Sequence, residues 1–220
     1  MLESVMPNTQ NEGSCMKKII SIICLAVTAA TLAFSEVTFG FRGFGDFGAG
    51  TSTNIENTST ETKKNWGYGG SVFGKIPISV VENLYVQPEV GFMHNSIGLK
   101  SSKYNLNSTL SYNSIVMPVL INYGIPINQS FLLFVEGGPQ VSFITGDLKD
   151  DKSKTTSDPD SRILFSAIAG IGASYAFSPA MALVTDLRYD LGFTTIKTEN
   201  ASEGVIPRGL NFSAGFHVKF

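Results

Sequence analysis

The chain has 220 residues, a formal net charge of -2 and only 15% charged side chains, against roughly 25% in an ordinary soluble domain. At 43% hydrophobic it is too apolar for a disordered chain, and beyond its N-terminus no unbroken apolar run reaches the roughly 18 residues a spanning helix needs. Lys and Arg are scattered along the chain, which sets nucleic acid aside as a partner.

Residues 16–35 read Met-Lys-Lys, a mostly apolar stretch from Ile19 to Phe34, then Ser35 before Glu36: the basic, apolar and small-residue order of a secretory signal peptide. The preceding residues 1–15 carry Glu3 and Glu12 and do not suit the front of such a leader, so they are expected to be a start-site extension, with translation beginning at Met16. Cleavage near Ser35/Glu36 would leave one domain, 36–220. Cys15 and Cys24 both fall in the discarded part, so the mature chain is expected to have no disulfide and no thiol chemistry.

After Glu36 the hydrophobic period is two, in runs about as long as a tilted membrane strand of roughly 9–11 residues. Strands are predicted at 36–51, 65–77, 84–94, 109–123, 131–144, 162–177, 181–194 and 209–220. Long polar connections at 52–64, 95–108, 145–161 and 195–208 alternate with short ones near Pro77 to Asn83, Gly124 to Ser130 and Ser178 to Ala180. Eight strands with that rhythm predict an all-β fold, an antiparallel up-and-down transmembrane barrel with both termini on the short-turn side. The fourth and sixth strands are apolar on both faces, so their phase stays open.

The charges sort by phase. Most lie in the long connections. In the strands, Arg42, Asp46, Lys75, Glu89, Glu136, Arg162, Asp186, Arg188, Asp190 and Lys219 take the polar phase, opposite neighbours such as Phe41, Val90, Val135, Leu187 and Val218. A charge on the lipid face at mid-bilayer would cost roughly 2–4 kcal/mol, whereas a soluble sandwich would show charge on its outer phase.

In the last strand, Leu210, Phe212, Ala214, Phe216, Val218 and Phe220 occupy one face. With this terminus, with Leu84 to Glu89 and with Leu187 to Gly192, the chain resembles the small eight-stranded bacterial outer-membrane barrels, the family of the OmpA membrane domain, OmpX and the opacity-type proteins. The resemblance implies residence in the bacterial outer membrane. It also implies that Phe212, Phe216, Val218 and Phe220 form the signal read by the barrel-assembly machinery after delivery by periplasmic chaperones. No peptidoglycan-binding domain of the kind that follows the OmpA barrel is expected beyond Phe220.

An eight-stranded barrel is just wide enough for side chains to fill it. Arg42, Lys75, Arg188 and Lys219 face Glu89, Glu136, Asp186 and Asp190 in the inward phase, and this balance predicts a structural ion-pair network that closes the bore, since a pore would favour one sign of charge. The His94 and Ser96 pair is similar to the His-x-Ser pair of outer-membrane lipid A deacylases, which carry it late in the chain with a following acidic partner; here it lies before the barrel's midpoint where a strand enters a polar loop, so a loop-edge role is expected. Asp147, Asp150, Asp151, Asp158 and Asp160 are interleaved with Lys and fit no calcium loop. Trp66, Tyr123, Phe131, Phe143, Tyr175 and Phe193 read as interfacial girdles.

The expected protein is therefore a monomeric, non-enzymatic barrel without catalytic site, metal or cofactor. It would sit in outer-membrane lipid and present loops to host or envelope ligands. The alternative is an OmpW-type narrow conduit for small or apolar solutes, for which Phe44, Phe73, Leu132 and Phe134 are the inward apolar candidates; a lipid A-modifying enzyme is the third reading.

Overall fold

The structure, a computed structural model, describes residues 37–52, 60–63, 65–101, 106–150, 156–157, 161–196 and 205–219. The extension, the signal peptide with both cysteines, Glu36 and Phe220 lie outside them, as do parts of each long connection.

Eight long antiparallel strands form the wall: β1 (Thr38–Ser52), β3 (Asn65–Pro77), β4 (Leu84–Ser101), β5 (Leu106–Pro126), β6 (Phe131–Asp150), β8 (Ile163–Ala176), β9 (Met181–Gly192) and β10 (Val205–Lys219). Two short strands, β2 (Thr60–Lys63) and β7 (Thr156–Ser157), add to β4 and β6. Each long strand pairs with its neighbours in the chain, and β1 pairs with β10 from Thr38↔Lys219 to Ser52↔Val205, so the sheet closes on itself. Closure removes every edge, which lets a sheet cross hydrocarbon with its backbone satisfied.

The strand count and alternation match the prediction; the lengths do not. β4 and β5 run to Ser101 and from Leu106, where 95–108 was expected to be loop, and β6 continues to Asp150. Beyond the membrane both faces are wetted, so alternation of hydropathy fades while the hydrogen-bonded ladder continues.

Short turns close the other end by local chemistry. Asn128 Oδ1 accepts from the backbone N–H groups of Ser130 and Phe131, both at 2.9 Å. Ser178 Oγ accepts from Met181 N at 3.0 Å. Asn83 holds φ at 59°, a left-handed conformation that Asn tolerates better than most residues.

The outward phase is apolar throughout the band. Phe41, Val72, Phe92, Val135, Ile171, Leu187 and Phe212 are all exposed, as a lipid-facing surface requires. Trp66, Tyr123, Tyr175 and Phe193 are exposed near strand ends, and Trp66 meets Phe47 in a tilted contact at 4.1 Å between ring centroids. The open phases are resolved: Tyr112, Val116 and Leu120 of β5 and Leu164 and Ile168 of β8 point inward and are buried. These strands are apolar on both faces because one face meets lipid and the other an apolar part of the lumen.

Candidate functional site: the charged lumen

Glu89 on β4 is the hub of the interior. Arg188 on β9 reaches across the bore to it with a two-pronged contact, Nη1 to Oε1 at 3.2 Å and Nη2 to Oε2 at 3.1 Å. Arg42 on β1 approaches the same carboxylate, Nη2 to Oε2 at 3.5 Å, and Ser71 Oγ donates to Oε1 at 2.6 Å. The planar guanidinium fork suits this geometry where a Lys would not.

The other acids complete the cluster. Arg188 Nε donates to Glu136 Oε1 at 2.6 Å and lies 3.2 Å from Asp186 Oδ1; Arg42 Nη1 donates to Asp186 Oδ2. Glu136 Oε2 also accepts from Asn122 Nδ2 at 3.1 Å and Gln87 Nε2 at 3.4 Å. Water is excluded at this level, for the side chains of Glu136 and Asp186 are 0% exposed. Removing charges from water costs several kcal/mol each, and here opposite charge and neutral donors from six strands offset that cost.

Lys75 is buried toward the short-turn end, its Nζ 4.8 Å from the Phe134 ring centroid and 5.9 Å from that of Tyr85. Arg42 likewise lies 4.2 Å over Phe73. Cation–π attraction supplements ion pairing here. Phe73, Phe134 and Val184 pack together with Leu132 against them. Glycines make room for these rings: a Cβ at Gly40 would meet Phe73, and one at Gly172 would meet Phe134. Above the ion pairs a second apolar cluster holds Tyr112, Ile144, Leu148, Leu164 and Ile196.

Six of the eight charges expected in the lumen network are buried together around the bore: Arg42, Lys75, Glu89, Glu136, Asp186 and Arg188. They balance, three of each sign. Lys219 shares the inward phase but is exposed at the end of β10, away from these six. Asp190 lies apart from the cluster, accepting from Gln140 Nε2 at 2.8 Å. Asp46, absent from the expected network, is 6% exposed on the inner face of β1. Gln87, Asn122 and Ser71 are not legible in the sequence as members of the cluster, since a neutral polar residue in a polar phase carries no distinguishing signal.

His94 and Ser96 each engage neighbouring residues of the wall. The His94 ring lies tilted against Tyr68 at 5.1 Å between centroids, and its Nδ1 is hydrogen-bonded to Asn113 Oδ1 at 2.8 Å. Ser96 Oγ lies 3.4 Å from Ser111 Oγ. Both residues occupy the outward phase of β4, His94 opposite Tyr68 and Ser96 opposite Ser111. Asp147 pairs loosely with exposed Arg162 at 3.9 Å; the side chains of Asp150, Asp151, Asp158 and Asp160 lie outside the described residues.

A closed eight-stranded barrel with a lipid-type exterior and a paired-charge interior defines a small outer-membrane barrel. The chain matches the outer membrane protein beta-barrel domain over residues 20–220 and belongs to that family, which places it in the outer membrane. The fold is similar to that of the outer membrane protein OprG from Pseudomonas aeruginosa (12% identity, 85% of this chain and 97% of that one, TM-score 0.59). It is also similar to Neisserial surface protein A (17% identity, 83% and 97%, TM-score 0.50) and to a major outer membrane protein from Thermus thermophilus (12% identity, 84% and 99%, TM-score 0.50). At these identities the likeness is one of fold. No curated protein matches the sequence.

Proposed function

We propose that this is a non-enzymatic outer-membrane barrel with an occluded lumen, monomeric in the bilayer, which serves as a rigid frame for surface loops that contact host molecules or envelope components. The observation that carries the reading is the buried cluster around Glu89, in which two guanidiniums and three carboxylates pair with one another across the bore. Such mutual neutralisation leaves no single sign of charge along the wall to select a passing ion. Function then rests with what the barrel displays, as is usual for polar loops on a rigid scaffold. The leader at 16–35 is removed before assembly, and the machinery that reads the last strand, together with periplasmic chaperones, supplies the partners for insertion.

Deleting 145–161 in a variant that still folds tests the display role. Whole cells carrying it should lose binding to host or envelope ligand that wild-type cells retain. Unchanged binding, repeated for the other three long connections, would remove the adhesion reading.

The conduit reading is favoured by one observation, the apolar clusters on either side of the ion pairs. Uptake of small apolar solutes into liposomes carrying the barrel, at a rate above that of protein-free vesicles, would support it over occlusion.

A further inference from the structure

The lipid-facing wall changes character at one row of the sheet. On β4 and β5 the outward pairs Val86↔Ile121 and Phe92↔Ile115 are apolar, the next outward pair is His94↔Asn113, and the one after it is Ser96↔Ser111. From Leu84 to Phe92 the chain climbs roughly 27 Å along the strand, about 20 Å of membrane depth at a tilt of about 40°. His94 and Asn113 therefore stand where an apolar band of about 25 Å ends on the long-connection side. β3 adds Tyr68 to the same row, in register with His94 and 66% exposed.

The row offers unused hydrogen-bonding groups of both kinds. Asn113 Oδ1 only accepts, so the 2.8 Å contact with His94 Nδ1 places the hydrogen of the neutral ring on Nδ1 and leaves a lone pair on Nε2. His94 Nε2, Asn113 Nδ2 and the Tyr68 hydroxyl form no hydrogen bond among the described residues, and neither of the two nitrogens is sealed inside the wall. An acceptor, a two-hydrogen donor and a hydroxyl thus line up on three neighbouring strands, across about 10 Å at the usual strand spacing. Interfacial aromatic girdles need rings at headgroup level; this polar set, held in register beside them, is an addition to the girdle.

The mixture selects among headgroups. A phosphate only accepts and an ammonium only donates, so neither matches both Nε2 and Nδ2, whereas neighbouring sugar hydroxyls donate and accept. Trp66, exposed on the same strand as Tyr68, supplies an apolar ring face against which the C–H face of a sugar can pack. On the hydrocarbon side of the row Phe92 and Val72 are exposed, a surface for acyl chains. We propose that this row is a binding site for the saccharide headgroup of an outer-leaflet glycolipid, held by Tyr68, His94 and Asn113, with its acyl chains lying over Phe92 and Val72. The site belongs to the outer wall and needs neither the long connections nor a closed bore.

Trp66 is the chain's one tryptophan, so its fluorescence reports on the lipid beside this row. The folded full barrel is inserted into phosphatidylcholine vesicles in which a fixed fraction of lipid carries brominated acyl chains, which quench tryptophan on contact. That fraction is phosphatidylcholine, phosphatidylglycerol or a lactosyl diacylglycerol. Quenching by the lactosyl lipid should exceed that by either phospholipid severalfold at equal mole fraction. Tyr68→Phe, which removes one hydroxyl, should reduce the excess, and the His94→Phe/Asn113→Ala double variant, its folding checked by heat-modifiable migration, should abolish it. Equal quenching by the three lipids would overturn the proposal, leaving a row that is merely wetted. Stronger quenching by phosphatidylglycerol would overturn it in favour of a phosphate ligand. A sugar preference unchanged in Tyr68→Phe and in the double variant would overturn it as well, because the headgroup would then be held elsewhere.

Discussion

Arg188 and Glu89, 99 residues apart in the chain, meet across the barrel through two parallel hydrogen bonds of 3.2 and 3.1 Å. They come from strands on different sides of the bore, and the contact fixes the distance between those sides. Glu89 also receives Arg42 and Ser71. Glu89→Gln should therefore leave two guanidiniums facing a neutral amide, with a loss of about 3–5 kcal/mol of the kind seen when one partner of a buried pair is removed. Urea unfolding in lipid vesicles reads the change. Glu136→Gln should cost less than Glu89→Gln, because it removes one Arg contact and keeps a side chain that Asn122 and Gln87 can still engage.

Phe134 carries the apolar half of the lumen. Its ring is 2% exposed and lies beneath the Lys75 ammonium. Phe134→Ala should lower stability by about 3–5 kcal/mol, the usual range for a buried Phe. It also empties volume beside the bore, so short openings should become more frequent in bilayer recordings. Phe134→Leu should recover most of the stability.

The exterior obeys a depth rule. Leu187 lies midway along β9 on the lipid face, whereas Tyr175 lies next to a short turn. Leu187→Arg should destabilise the inserted barrel by roughly 2–4 kcal/mol and Tyr175→Arg by about 0–1 kcal/mol, measured by the same unfolding assay. Equal costs at the two positions would mean that the band is placed wrongly.

Alternation alone made the wall legible. In every strand where lipid and polar lumen oppose each other, the inward set could be read from period two, and Arg42, Lys75, Glu89, Glu136, Asp186 and Arg188 followed. Where the lumen is itself apolar, at Val116 and Leu120 or at Leu164 and Ile168, the two faces look alike and the phase could not be read. Phase also says nothing of depth: Lys219 shares the inward phase but lies at the rim. Asp46 is legible as an inward acid, but phase alone does not tell that it is buried apart from the ion-pair cluster.

The last strand combines packing with its expected role in assembly. Phe216 lies 5.8 Å from Phe41 across the closing seam and meets Phe177 edge-on at 6.3 Å. Phe220→Ala, beyond the described residues, should leave secretion intact and slow insertion, since the assembly signal is read before the barrel closes. Phe216→Ala should slow insertion and also weaken the closed barrel by about 3 kcal/mol or less, because its ring is partly exposed to lipid. Heat-modifiable migration over a time course after induction separates the two effects.

The central claim is that paired charge closes the bore, and single-channel recording of the wild-type barrel in a planar bilayer tests it most directly. Side chains already fill an interior of this width, and Glu136 and Asp186 are sealed from solvent. The expected record stays at baseline with rare, brief, small openings, and these become longer in Glu89→Gln. Steady ohmic conductance in the wild type, or a change of ion selectivity in Glu136→Gln without loss of stability, would contradict closure and make the barrel a conduit.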